Sequence, residues 1–74
     1  MTLEVVYFYD SYGTGNYTKD DAASTPERPV TDQEVEQYSA LLEAIGAKRH
    51  ETKDGFFYDQ HSDSTHVCET IFRN

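Results

Sequence analysis

The chain has 74 residues and a mass of 8.5 kDa, which suffices for one domain, because two hydrophobic cores cannot be built from so few residues. Its 14 acidic and six basic residues give a net charge of −8, which disfavours direct contact with nucleic acid or an anionic membrane. No run approaches the roughly 18 apolar residues of a membrane span. A lone cysteine and the lack of a signal-peptide pattern predict a cytoplasmic protein.

The chain is predicted to fold although its large apolar residues are few. Leu, Ile, Val and Phe make up only 14 of the 74 residues, but six tyrosines add rings that bury well while their hydroxyls stay hydrated. A folded domain of this length is worth about 4–11 kcal/mol at the usual stability per residue.

Residues 2–9 are β-branched and aromatic, which predicts a strand. Alternation places Leu3, Val5, Tyr7 and Tyr9 on one face and Val6 and Phe8 on the other. Because both faces carry apolar side chains, we expect this strand to lie inside the sheet.

Residues 10–30 are polar and rich in turn-forming residues, and they leave two possibilities open. The chain could turn at residues 12–15 and return as a strand through residues 16–19, since 21 structureless residues are unusual in a small domain. Otherwise the whole stretch is a surface loop, where binding functions concentrate.

A capping box, Thr31-x-x-Glu34, predicts a helix from about Asp32 to Ile45, ending at Gly46. At 100° per residue, one arc of this helix is apolar and is expected to face the core. That arc contains Val35, Tyr38, Leu41, Leu42 and Ile45.

Three strands are predicted after the helix. Residues 48–53 form a polar edge strand, Asp54-Gly55 indicates a hairpin, and residues 56–58 form the returning strand. Residues 60–65 form a turn before a last strand at residues 66–72. The predicted fold is α+β, with one amphipathic helix on a three- to five-stranded, mainly antiparallel sheet in the order β-(β)-α-β-β-β.

Acidic residues are concentrated in the first part of the chain: residues 1–47 contribute a charge of −7 and residues 48–74 only −1. Three helix carboxylates, Asp32, Glu36 and Glu43, lie within 40° of one another on the side away from the apolar arc; we call them the acidic ridge. Such a face is either an ordinary solvated surface or a site for a basic partner. Imitation of a DNA strand requires Asp20, Asp21 and Glu27 to converge on the same side.

Tyr12 and Tyr17 flank a pair of glycines in the polar segment and belong to no apolar pattern. Their rings either fold back over the sheet or stay exposed as anchors, because tyrosine is common in both roles. With neighbouring acids, exposed rings would suit a groove rich in Arg and Lys.

His61, His66 and Cys68 are weak candidates for metal ligands. A structural zinc site needs four ligands and usually at least two cysteines, so we expect neither a metal nor another cofactor. Cys68 beside His66 could also suggest a nucleophile and its base, but no orienting third group is visible, and we expect no enzyme activity.

A short, acidic, tyrosine-containing chain with one capped helix, a small sheet and no catalytic motif resembles small phage- or plasmid-encoded anti-defence inhibitors. These include anti-CRISPR proteins and antirestriction DNA mimics. The resemblance covers general character and no motif. It implies a cytoplasmic inhibitor, in a bacterial host, that occupies a basic nucleic-acid-binding surface of a partner protein through the acidic residues named above.

Two other hypotheses stay open. The chain could be a small metal-binding domain that uses His61, His66 and Cys68. It could also be an accessory or antitoxin-like subunit that is stable only in a complex. Elemental analysis tests the first, and the concentration dependence of melting tests the second.

Overall fold

The computed structural model describes residues 1–63 and 65–74. Its elements are strands β1 (Thr2–Tyr9) and β2 (Thr18–Pro29), helix α1 (Asp32–Ala44), and strands β3 (Lys48–Thr52), β4 (Gly55–His61) and β5 (His66–Arg73). The strands form one sheet in the spatial order β2-β1-β5-β4-β3, with every neighbouring pair antiparallel. The predicted α+β fold is confirmed, with β1 inside the sheet and β3 at its edge.

Strand β2 confirms the hairpin alternative for residues 10–30, but the strand starts at Thr18 and runs to Pro29. Its pairing with β1 is irregular: Val5 pairs with Thr25 and Tyr7 with Asp20, so β2 advances five residues while β1 advances two. In this bulge, the Ser24 hydroxyl accepts the hydrogen bond of the Tyr7 N–H at 2.9 Å. Polar bulges and prolines suit an edge strand, which explains why the sequence pattern did not reveal β2.

Helix α1 has the predicted boundaries to within one residue. The Thr31 hydroxyl accepts the Glu34 N–H at 3.1 Å, and the Glu34 carboxylate accepts the Thr31 N–H at 3.1 Å, which completes the capping box. At the other end, the Gly46 N–H donates to the Glu43 carbonyl and the Ala47 N–H to the Leu42 carbonyl. This is a Schellman motif, and the φ of +83° at Gly46 is the left-handed conformation it requires.

Replacing Thr31 with alanine is expected to lower the free energy of unfolding by about 1 kcal/mol, because the cap hydroxyl is lost. Chemical denaturation of the variant measures the effect. Thr25→Ala is the matched control, since Thr25 is an exposed threonine outside the cap. A Thr31→Ala variant as stable as the parent would contradict a contribution from the cap.

The hydrophobic core lies between α1 and one face of the sheet. The fully buried side chains Tyr58 and Phe72 lie at its centre, 1% and 0% exposed, and Phe72 stacks on Phe56 with ring centroids 4.9 Å apart. Val35 and Leu42 of the helix pack against this cluster. None of the helical segments in residues 1–63 and 65–74 has the length and apolar character needed to cross a bilayer.

The predicted apolar arc of α1 is only partly correct. Val35 and Leu42 face the core, but Tyr38 is partly exposed, and Leu41 and Ile45 are 64% and 59% exposed. The sheet-facing side is therefore turned about 50° from the predicted one at 100° per residue. One reason is the buried Tyr58 hydroxyl, which donates to Glu43 at 3.0 Å, since an unsatisfied buried hydroxyl costs about 1–3 kcal/mol.

The hairpin between β3 and β4 is confirmed, but its turn is Lys53-Asp54, one residue earlier than predicted. Gly55 belongs to β4 and pairs with Thr52 and Arg73. A Cβ at position 55 would collide with the Phe72 carbonyl oxygen. Glycine is therefore required there by close approach of the neighbouring strand rather than by the turn.

Candidate functional site

The acidic ridge borders a groove between α1 and the edge of the sheet at β3. The groove has a volume of about 490 Å³, and its lining residues are Asp32, Val35, Glu36, Ser39, Ala40, Glu43, Arg49 and Phe56. We call it the edge groove. Its lining combines the three ridge carboxylates on the helix with the Phe56 ring on β4 and the Arg49 guanidinium on β3.

The three ridge carboxylates differ in their partners. Glu43 accepts the hydrogen bond of the buried Tyr58 hydroxyl, so it contributes to the fold. Asp32 and Glu36 are exposed, and among the described residues neither side chain has a hydrogen bond or an ion pair. The edge groove therefore carries two negative charges without a partner in the described part of the chain.

Among the described residues that line the edge groove, Arg49 is the one with a basic side chain. Its guanidinium carbon lies 3.9 Å from the centroid of the Phe56 ring, and its Nε donates to Glu51 at 2.6 Å. The hydrogen bonds to Glu51 and to the Tyr58 hydroxyl raise the pKa of Arg49, whose guanidinium is charged at neutral pH in any case. Sequence analysis did not identify Arg49, although strand alternation after the predicted hairpin places it on the face of Glu51.

The other predicted acidic residues do not join the ridge. Asp20, Asp21 and Glu27 all lie on β2, at the opposite edge of the sheet from β3. Four strand spacings separate the two edges, about 19 Å. Asp21 is also paired with Lys19 at 3.7 Å, and Glu27 with Arg73 at 3.3 Å. The two groups of acids therefore form separate surfaces.

Most basic side chains are neutralised within the chain. Of the six basic residues, all within the described part, four form ion pairs with carboxylates: Lys19, Arg28, Arg49 and Arg73. Lys48 and Lys53 do not, and Lys48 lies on the sheet face away from α1, beside Asp59. Among the described residues, only Lys48 and Lys53 thus remain to pair with carboxylates that lack a cation.

The loop between β1 and β2 presents Tyr12 and Tyr17 at one end of the sheet. Tyr12 is 89% exposed and Tyr17 is less so. The buried carboxylate of Asp10 accepts the N–H groups of Tyr12 and Gly15 at 3.3 and 2.5 Å, which fixes the loop. The rings are therefore exposed rather than folded back over the sheet, Tyr12 more than Tyr17, and a binding role for both stays a prediction.

The hydrogen bonds to Asp10 predict how this loop responds to acid. Burial raises the pKa of Asp10, but hydrogen bonds from Gly15, Thr14 and Tyr12 outweigh it, so the pKa lies below the usual value of about 3.9. The stability that these hydrogen bonds give the loop is fully present above the usual pKa. It is lost as the pH falls through the lower pKa that Asp10 has in the folded protein. NMR titration of the Gly15 amide should therefore show a midpoint below about 3.9, and Asp10→Asn should abolish it. A midpoint at or above that value would contradict the hydrogen-bonded loop.

The candidate metal ligands do not converge. His61 pairs with Val67 and lies on one face of the sheet, whereas His66 and Cys68 flank Val67 on β5 and lie on the other face. Within residues 1–63 and 65–74, no three His, Cys, Asp or Glu side chains are close enough to hold a metal ion. Burial raises the pKa of the Cys68 thiol, which disfavours the thiolate that a nucleophile or a metal ligand requires.

Two surfaces of the described structure therefore present side chains suited to binding. One is the edge groove with its unpaired Asp32 and Glu36, and the other is the loop that carries Tyr12. No family model, no curated protein and no solved structure matches this chain.

Proposed function

We propose that this chain is a non-enzymatic acidic binding protein that occupies a basic, nucleic-acid-binding surface of a partner protein and thereby inhibits it. The observation that carries the proposal is the pairing of charges in the described residues: four of the six basic residues are neutralised internally, while Asp32 and Glu36 are exposed without a partner. This is the arrangement expected where carboxylates bind a cationic group of another molecule and do not stabilise the fold.

The mechanism is occupation of a surface rather than a full imitation of DNA. Asp32 and Glu36 lie about 6 Å apart along the helix axis, whereas one DNA strand presents a phosphate for every 3.4 Å of rise. The net charge of −8 speeds the encounter with a positive surface, and the ridge then takes the place of a few phosphates. Because exposed charges are screened within about 8 Å at physiological ionic strength, binding should weaken as salt is added.

The test has two steps. Proteins from a nuclease-treated bacterial lysate are captured on the immobilised chain at low salt and eluted with a salt gradient. Each captured protein is then tested for nucleic-acid binding with and without the chain. Loss of nucleic-acid binding supports the proposal. Simultaneous binding of chain and nucleic acid, or capture that is insensitive to salt, would overturn it.

Glu36→Lys is expected to strengthen the fold and weaken binding. The new lysine lies four residues after Asp32, so a favourable pair replaces a repulsion, a gain of roughly 0.4–1 kcal/mol. Binding to the captured partner should weaken because a like charge then faces the basic surface. The melting temperature and the dissociation constant are measured on the same sample.

Glu69→Lys is the matched control for this variant. It makes the same change in net charge on the sheet face away from α1, where Glu69 pairs with Val6 and Asp59. It should affect binding less than Glu36→Lys. If the two variants bind equally well, the ridge is only a solvated face.

The exposed apolar side chains of α1 favour a second candidate function, an accessory subunit that is stable in a complex. Tyr38, Leu41 and Ile45 form a stripe along the side of the helix that faces solvent. Melting curves across a wide range of protein concentration test this candidate. A cooperative transition of a monomer that does not depend on concentration would contradict it.

A further inference from the structure

The two edges of the sheet differ in their capacity to accept another strand. All five residues of β3 are exposed, and within the described structure the strand pairs regularly with β4 alone. In an antiparallel pair, every second residue directs its N–H and C=O away from the partner strand, so β3 presents unpaired backbone groups to solvent. Edge strand β2 is instead bulged and contains Pro26 and Pro29, which lack an N–H.

A strand added beside β3 would lie next to the edge groove, whose lining includes Arg49 of β3. Successive side chains of a strand point to opposite faces, so every second side chain of the added strand would lie on the helix side of the sheet. Those side chains repeat every 6.6–6.8 Å or so. The unpaired Asp32 and Glu36 lie on that side of the sheet and line the edge groove.

The charges that line the edge groove favour basic side chains at the positions of the added strand that lie on the helix side of the sheet. Arg49 already shows how a guanidinium is held here, stacked 3.9 Å from the Phe56 ring centroid and hydrogen-bonded to a carboxylate. Because Arg49 is committed to Glu51, it leaves Asp32 and Glu36 without a cation among the described residues. Lys48 does not oppose a basic strand on this side, since it lies on the other face of the sheet.

We infer that β3 and the edge groove bind an extended segment of the partner with Arg or Lys at alternate positions, which adds to the sheet as a sixth strand. Backbone hydrogen bonds to β3 supply an attraction that does not depend on sequence, and the two carboxylates select the basic side chains. This inference rests on the proposed function and specifies the form in which the basic surface is presented.

Four synthetic peptides of eight residues test the inference, each with four Arg and four Thr and with blocked termini. The first alternates Thr and Arg, the second has four Thr followed by four Arg, and the third and fourth are the alternating peptide N-methylated on one or the other set of alternate residues. Two N-methylated versions, one for each edge of the peptide, ensure that one of them blocks the hydrogen bonds to β3. Dissociation constants are measured at low salt, and binding is mapped on the backbone amides of the protein by NMR.

The alternating peptide should bind at least fivefold more tightly than the block peptide, and one of the N-methylated versions should lose at least tenfold in affinity. Amide shifts should concentrate in β3. Glu36→Gln should weaken binding of the alternating peptide at least threefold, while Glu69→Gln, which removes a carboxylate from the far face, should leave it within twofold.

The outcomes separate the two proposals. If the peptides bind equally, regardless of order and N-methylation, strand addition is wrong and charge-driven docking stands. If amide shifts appear on β2 or α1 and not on β3, the assignment of the edge is wrong. If no peptide binds at low salt, the inference falls, and the capture experiment decides the proposed function separately.

Discussion

Phe72→Ala is expected to lower the free energy of unfolding by about 3–5 kcal/mol, the usual cost of removing a buried phenylalanine ring. Phe72 is fully buried, stacks on Phe56 and pairs with Leu3 across β1 and β5. The loss is a large part of the 4–11 kcal/mol or so expected for a domain of this length. Urea denaturation followed by circular dichroism at about 25 °C, the temperature to which these magnitudes apply, measures it.

Phe57→Ala is the matched control for Phe72→Ala. Phe57 is only partly buried and lies on the opposite face of the sheet, where it stacks on His50 with ring centroids 4.7 Å apart. Less apolar surface is removed from the protein interior, so the loss should be distinctly smaller. Equal losses would show that the core does not lie between α1 and the sheet.

Gly55→Ala is also expected to destabilise the fold strongly. It should lower the free energy of unfolding by about 3 kcal/mol, the upper end of the usual range for overpacking. The added methyl group would meet the Phe72 carbonyl oxygen, a backbone atom of the central strand β5 that cannot move without disturbing the pairing. The variant should unfold at a markedly lower urea concentration than the parent.

Gly13→Ala separates this collision from a general cost of replacing glycine. Gly13 has a φ of +63°, and a methyl group added there would meet no described atom within 4 Å. Only the backbone conformation therefore opposes alanine at this position, at a cost of about 1 kcal/mol. A Gly55→Ala variant no less stable than Gly13→Ala would contradict the close approach of β4 and β5.

Local signals in the sequence predicted most of the fold. The capping box and Gly46 defined α1 because each acts within a few residues, and alternation identified β1 and β5. The predicted strand order along the chain is confirmed. By contrast, β2 carries no alternating apolar pattern, since its bulges shift the register twice and its residues are polar.

The candidate site was less predictable because it depends on how α1 is turned over the sheet. Periodicity placed the ridge opposite the buried side of the helix, but the bond from Tyr58 to Glu43 turns it toward β3. The groove with Arg49 and Phe56 results from that rotation, which brings carboxylates of α1 beside the β3–β4 hairpin, a contact between parts of the chain that no local pattern relates. Hydrophobic periodicity contains no information about a single buried hydroxyl.

The irregular β2 edge has a consequence for self-association. Filaments grow when the two edge strands of a sheet can pair with each other, because one edge of each copy then binds the opposite edge of the next copy. Here the bulges and prolines of β2 leave no regular ladder for a β3 strand of another copy. Pairing between two β3 strands would bury both regular edges in a closed dimer, so growth into fibrils through native edges stops at two copies.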